Sequence, residues 1–145
     1  MCEKSLSNKN IVIIGGTAGL GLSVALAFIA NGARLVVVGR DDESAGEAAA
    51  LLGDRAEVVT GDAVQPAMAL RAIDICVRQF GKLDGLYHVA GGSGRKMGDG
   101  PLHELTLEGW NKTLELNLTS LMLSNQAAVR QFLKQGTGGS ILNTG

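Results

Sequence analysis

The chain has 145 residues, 46% of them hydrophobic but only 3% aromatic, with 21 glycines and a formal net charge of -1. That length suits one domain with a sizeable, mainly aliphatic core, and the scattered, nearly balanced charge leaves no basic stripe for nucleic acid or an anionic membrane surface. Cys2 and Cys76 lie far apart with no C-x-x-C or His-rich neighbourhood, so no metal site is expected; the polar first ten residues and the lack of any run near ~18 apolar residues point to a soluble, cytoplasmic chain with reduced thiols.

Ile11-Val-Ile-Ile14 reads as a strand buried on both faces. Gly15, Gly19 and Gly21, spaced G-x3-G-x-G, then lead into an apolar-rich helix reaching about Ala30, with Leu20, Val24, Ala27 and Phe28 on one face and Asn31-Gly32 as a left-handed cap. Gly15 lets the chain leave the strand sharply, Gly19 lets backbone approach a diphosphate, and Gly21 lets helix and strand pack closely. An anion is expected over the unpaired first amides of this helix. The plainer alternative is an ordinary glycine-rich turn, against which both the strand and the helix context count.

A second strand is predicted at Arg34–Val38, followed by Gly39-Arg40-Asp41-Asp42 and an alanine-rich helix through Leu52, with Gly53 as its stop. Ala56–Thr60 is a third strand ending in Gly61-Asp62-Ala63. Pro66 opens a helix in which Leu70, Ile73, Val77 and Phe80 repeat at helical spacing, and Gly81 ends it. The fourth strand is placed at Leu83–Ala90. Residues 91–101, dense in glycine and polar residues, form a loop expected close to a ligand. Thr106 caps a long helix whose apolar side is marked by Trp110, Leu114, Leu118, Leu121, Val129 and Phe132; it ends near Gly136, and Gly138–Gly145 reads as a fifth strand. Strands alternating with helices give an α/β doubly wound parallel sheet, taken as a single domain over 1–145.

Four motifs sit at the ends of these strands and on the long helix: Ile14-Gly15-Gly-Thr17-Ala-Gly19-Leu20-Gly21, Asp62-Ala63, His88-Val-Ala90-Gly91, and Asn117 within Glu115-Leu-Asn-Leu-Thr119. Together they resemble the short-chain dehydrogenase/reductase family over essentially the whole chain, with Ile14 where the family has threonine and His88-Val89 where it has two asparagines. The resemblance implies a Rossmann-type, three-layer α/β/α fold, here truncated after the fifth strand. It further implies cofactor contacts at Gly15, Thr17, Gly19, Leu20, Gly21, Arg40, Asp62, Ala63, Ala90 and Gly91, with the Asp62 carboxylate receiving the adenine amino group. Asn117 corresponds to the helix asparagine that helps hold a water in the proton relay, and is the one catalytic residue carried over. Other readings stay open: Asn117 as a solvent-facing or back-bonding residue, and His88 as either a proton-transfer group or a hydrogen-bonded core residue.

An acidic residue closing the second strand accepts both ribose hydroxyls of NAD; here that place is Gly39, followed by Arg40, whose guanidinium suits a 2′-phosphate. NADP is therefore expected, with NAD possible and a surface pairing of Arg40 with Asp41 or Asp42 as the alternative. The same feature argues against a methyltransferase, and the missing Gly-Lys-Ser/Thr excludes a P-loop. The family's catalytic serine and Tyr-x-x-x-Lys have no counterpart, since the single tyrosine, Tyr87, is followed by Ala90 and Gly91. The expectation is an oxidoreductase acting on an alcohol or ketone whose chemical step this chain alone lacks; the alternative is a non-catalytic nucleotide-binding or oligomerisation module. An uncovered sheet edge and the family's habit of pairing through the long helix make a homo-oligomer the expected state.

Overall fold

Short apolar runs, rich in β-branched residues in the first three and the first four each followed by a turn and a helix, form five parallel strands: β1 (Asn10–Ile14), β2 (Arg34–Gly39), β3 (Ala56–Thr60), β4 (Gly85–His88) and β5 (Ser140–Asn143). The computed structural model describes residues 4–144; the expectations at Cys2 and Gly145 lie outside them. The strand order is β3-β2-β1-β4-β5. The chain therefore winds outward from β1 to β3, crosses back, and winds outward again through β4 and β5. This leaves a switch point between β1 and β4, above whose carboxyl ends an open parallel sheet forms its ligand crevice.

Alternation along β1 and β2 divides the core. Val12, Ile14, Val36 and Val38 pack toward α3 (Pro66–Phe80) on one side, while Ile11, Ile13, Leu35 and Val37 pack toward α1 (Gly19–Ala30) and α2 (Asp42–Leu52) on the other. These strand residues are all but sealed from water, each contributing about 1.5–3 kcal/mol by burial. The helix predicted from Thr106 onward has an interruption: α4 (Leu107–Leu114) gives way to a π turn at Glu115–Thr119 before α5 (Ser120–Gln135) continues. No helix among the described residues is long and apolar enough to cross a membrane.

Several helix faces differ from expectation. In α1 the sheet is met by Gly21 and Ala25, with Phe28 behind them, whereas Leu20 and Ala27 are exposed. In α3 the inward residues are Met68, Ala69, Ala72, Ile73 and Cys76, and Leu70 turns outward. The largest departure is in α4 and α5, where Trp110, Leu114, Leu118 and Val129 are exposed and the buried positions are Ser120, Ser124, Ala127 and Ala128. Small residues let α5 lie close to the sheet, and the π turn rotates the helical register so that one continuous apolar stripe does not hold. β4 is shorter than the predicted Leu83–Ala90 because the chain bends away after His88; β5 spans only Ser140–Asn143 of the predicted segment.

Candidate functional site

A cleft of about 410 Å³ opens over the carboxyl ends of β1, β2 and β4, bounded by the turn after β1, the end of β2, Gly61–Val64 and Val89–Gly91. All of the residues expected to touch a cofactor line it: Gly15, Thr17, Gly19, Leu20, Gly21, Arg40, Asp62, Ala63, Ala90 and Gly91. The exposure that removes Leu20 from the core of α1 is what places it on this cleft.

The turn is set by contact between backbones. Gly15 has φ +91°, and a Cβ there would stand 2.6 Å from the Ala90 nitrogen; a Cβ on Gly21 would collide with the Gly15 carbonyl. Ala18 precedes α1 without any side-chain cap. By contrast, Asp41 accepts from the Ser44 N–H at 2.7 Å at the start of α2, and Thr106 accepts from the Gly109 N–H at 3.0 Å at the start of α4. The opening amides of α1 thus face the cleft with no side chain upon them, which is the arrangement that receives a diphosphate. A nicotinamide dinucleotide fits these donors: Gly19 adds no Cβ at the first turn of α1, and the free amides match its charge.

At the end of β2, a Cβ on Gly39 would collide with the Thr17 side chain, so packing excludes a carboxylate-bearing residue there. Asp41 is occupied in capping α2, and no acidic partner of Arg40 lies within ion-pair distance among the described residues. The surface pairing considered for Arg40 is absent. Thr17 is buried, its hydroxyl 3.2 Å from that of Ser44. Ser44 also lines the cleft, as do Val64 and Leu116, and sequence reading missed all three. Only Ser44 had a signal: an N-cap at Asp41 directs the third residue of the helix back toward that cap. Asp62 uses one carboxylate oxygen to receive the Val64 N–H at 3.2 Å, holding the strand-end turn over the cleft floor.

Asn117 lies in the π turn, and both polar atoms of its side-chain amide are engaged. Its Oδ1 receives the Gly92 N–H at 3.0 Å, while Nδ2 donates to the Gly92 carbonyl at 2.7 Å and to the Thr113 carbonyl at 2.9 Å. This is back-bonding and loop-holding combined. Gly91 makes room for it, since a Cβ there would stand 2.6 Å from Oδ1.

His88 is sealed in the core between Ser124 and the Ala90 carbonyl, as the core reading anticipated. Burial pushes its pKa down, opposed by the bond to Ala90, so the ring is neutral at ordinary pH. Tyr87 points to the opposite face, its hydroxyl 2.9 Å from that of Thr144. Cys76 is buried with its thiol pKa pushed up to about 12, first by burial and then by Asp84; it is an inert thiol.

Known proteins share this fold. The chain is 35% identical over 138 residues to a 3-alpha-(or 20-beta)-hydroxysteroid dehydrogenase of Mycobacterium tuberculosis (strain ATCC 25618 / H37Rv), a match covering 95% of this chain and 51% of that protein; the same figures hold for the Mycobacterium bovis protein of that name. It thus spans about half the length of the curated relatives it matches. Among solved structures, a short chain dehydrogenase from Bacillus anthracis superposes with a TM-score of 0.86 at 27% identity, over 96% of this chain and 56% of that one. A short-chain type dehydrogenase/reductase from Mycobacterium ulcerans gives 0.83 at 29%, over 96% and 51%. The family model described as short chain dehydrogenase matches residues 9–145, and with the glycine turn, the strand order and the cleft agreeing, the chain belongs to the short-chain dehydrogenase/reductase family.

Proposed function

We propose that these residues form the coenzyme-binding part of a cytoplasmic oxidoreductase that moves hydride between NADP and an alcohol or ketone. When bound, the coenzyme supplies the hydride; what this chain supplies is its seat. The bare amides of α1 receive the diphosphate, Asp62 and Ala63 flank the adenine, and Ala90 and Gly91 form the facing wall. The observation that carries the choice of NADP is at the end of β2: Gly39 is closed to any side chain by Thr17, and Arg40 beside it has no acidic partner among the described residues. A guanidinium with no competing carboxylate pairs well with a dianionic phosphate and poorly repays a bare ribose.

Fluorescence titration with NADPH and NADH tests this reading. NADPH is expected to bind at least about tenfold more tightly, as one charge-assisted contact implies, and Arg40→Ala to erase the difference. Tighter binding of NADH overturns it. Among the described residues the single tyrosine, Tyr87, is not placed to donate the proton that carbonyl reduction needs, because its hydroxyl is engaged with Thr144 on the other face of the sheet. We therefore read the 145 residues as binding without turnover, and NADPH oxidation at ordinary reductase rates by this chain would contradict that.

The exposed Trp110, Leu118, Met122, Val129 and Leu133 of α4, the π turn and α5 support self-association along that helix. Light scattering is expected to show a dimer or larger species, and a stable monomer counts against it.

A further inference from the structure

Among the described residues few polar side chains are buried, and three of them, His88, Ser120 and Ser124, meet at one point between β4 and α5. The His88 Nε2 lies 2.9 Å from the Ala90 carbonyl and 3.4 Å from Ser120 Oγ, and its Nδ1 lies 2.8 Å from Ser124 Oγ. A carbonyl only accepts, so Nε2 carries the hydrogen. The neutral ring then accepts at Nδ1 from the Ser124 hydroxyl, while Ser120 passes its own hydrogen to the Leu116 carbonyl at 2.7 Å. On the far side of this joint, Ala90 donates its N–H to the Ile14 carbonyl at 2.9 Å and abuts Gly15 so closely that no Cβ fits between them. The ring is therefore one bond from the wall of the cleft and two from the glycine turn.

We propose that His88 is a positioning residue for the cleft, its neutral ring pinning the Ala90–Gly91 wall to α5 and its protonation unpinning it. That the wall serves a coenzyme rests on the reading above; the pinning itself does not. Ser124 has a second acceptor, the Leu121 carbonyl at 3.0 Å, so on protonation its hydroxyl turns and the Nδ1 contact survives. What does not survive is the absence of charge. Among the described residues no charged group acts on the ring: α5 presents Ser120 and Ser124, α3 presents Met68, Ala69 and Ala72 to this side of the sheet, and the neighbours in register are Ile14 on β1 and Asn143 on β5. A buried cation without a counter-ion is relieved by letting water into the seam between β4 and α5, which carries the ring, together with the Ala90 carbonyl that it still holds, away from α5.

The test follows the His88 ring and the backbone amides of Ala90, Gly91 and Gly15 by NMR on the isotope-labelled chain from about pH 8 to about pH 5. The amides are expected to move with the ring at one midpoint. NADH, which has no 2′-phosphate to titrate, is the binding probe, and its affinity is expected to fall about tenfold for each pH unit below that midpoint. Ser124→Ala removes the partner that Nδ1 has in both ring forms and frees the ring from α5, so it shifts the midpoint and weakens NADH about fivefold at high pH. His88→Asn abolishes the shared titration; if that variant does not fold, Ser124→Ala carries the test alone. Amides of Ala90 and Gly91 that stay still while the ring titrates, or a midpoint that Ser124→Ala leaves in place, overturn the proposal. Absence of NADH and NADPH binding at every pH overturns the coenzyme reading instead, and leaves the pinning to be decided by the spectra.

Discussion

Across the switch point, the turn after β1 and the segment after β4 face each other over one cleft and are held there by different means. Gly15–Gly21 is fixed by what is missing, because backbone meets backbone where a side chain would stand, and no side chain bonds to its amides. The segment His88–Gly92 is fixed by what reaches it from far along the chain: Ser124 and Ser120 through the imidazole, and Asn117 through both polar groups of Gly92. Steric exclusion leaves the first wall nearly one conformation and no titratable part. Hydrogen bonding leaves the second dependent on a proton and on a helix distortion. One cleft thus has a rigid side and an adjustable side that faces it.

The largest effect expected from this contrast is at Gly21. A Cβ there collides with the Gly15 carbonyl, and relief requires α1 to move off β1. Gly21→Ala is expected to cost about 3 kcal/mol of stability in urea unfolding, in the range for forcing atoms into a close-packed site, and to eliminate dinucleotide binding. A cost under about 1 kcal/mol would mean that the turn is not set by shape.

Acid acts on the other wall. Burial lowers the His88 pKa below the 6.5 of the unfolded chain. As pH falls through 6.5 the unfolded chain takes up the proton first, so stability declines in the window between 6.5 and the lower folded value, by at most about 1.4 kcal/mol per pH unit. Above 6.5 this contribution is fully present. Subtracting the stability–pH curve of His88→Asn from that of the parent isolates it, and two parallel curves would remove His88 from the account.

A smaller effect belongs to Asn117. Its bonds to Gly92 and Thr113 lie at the surface, where water replaces part of what is lost, and alanine is the better helix former. Asn117→Ala is expected to cost about 1 kcal/mol or less globally. Locally it strips the Gly92 amide of protection against hydrogen exchange, which a role confined to α5 would leave unchanged.

The same contrast explains what the sequence made legible. The strands, the helices between them and the glycine turn follow from residue type at fixed short spacing, and β2, α2 and β3 end within a residue of expectation. Every cofactor-lining residue expected from the motifs reaches the cleft, because those motifs sit at strand ends that the sheet gathers at one edge. The second wall was hidden. Nothing local says that His88 and Ser124, 36 residues apart, share a hydrogen bond, or that Glu115–Thr119 adopts a π turn. The exposed side of α4 and α5 was misread for a related reason: Leu and Trp at helical spacing look like a core stripe, whereas close approach to the sheet selected Ser and Ala instead.

The finest test of the comparison lies at Thr17, the one buried polar residue within the rigid wall. Its hydroxyl meets only Ser44, at 3.2 Å, and Ser44 keeps another partner in the Asp41 carbonyl at 3.1 Å, so losing the Thr17 hydroxyl strands nothing. Its carbon atoms, however, fill the space that Gly39 leaves open. Thr17→Val preserves that shape and is expected to cost about 0.5 kcal/mol, seen as a fall of about 2 °C in Tm. Thr17→Ser keeps the hydroxyl but removes a buried methyl, and is expected to cost about 1 kcal/mol. The order of the two decides the matter, since a chain that tolerates serine better than valine would be holding its first wall, like its second, by hydrogen bonds.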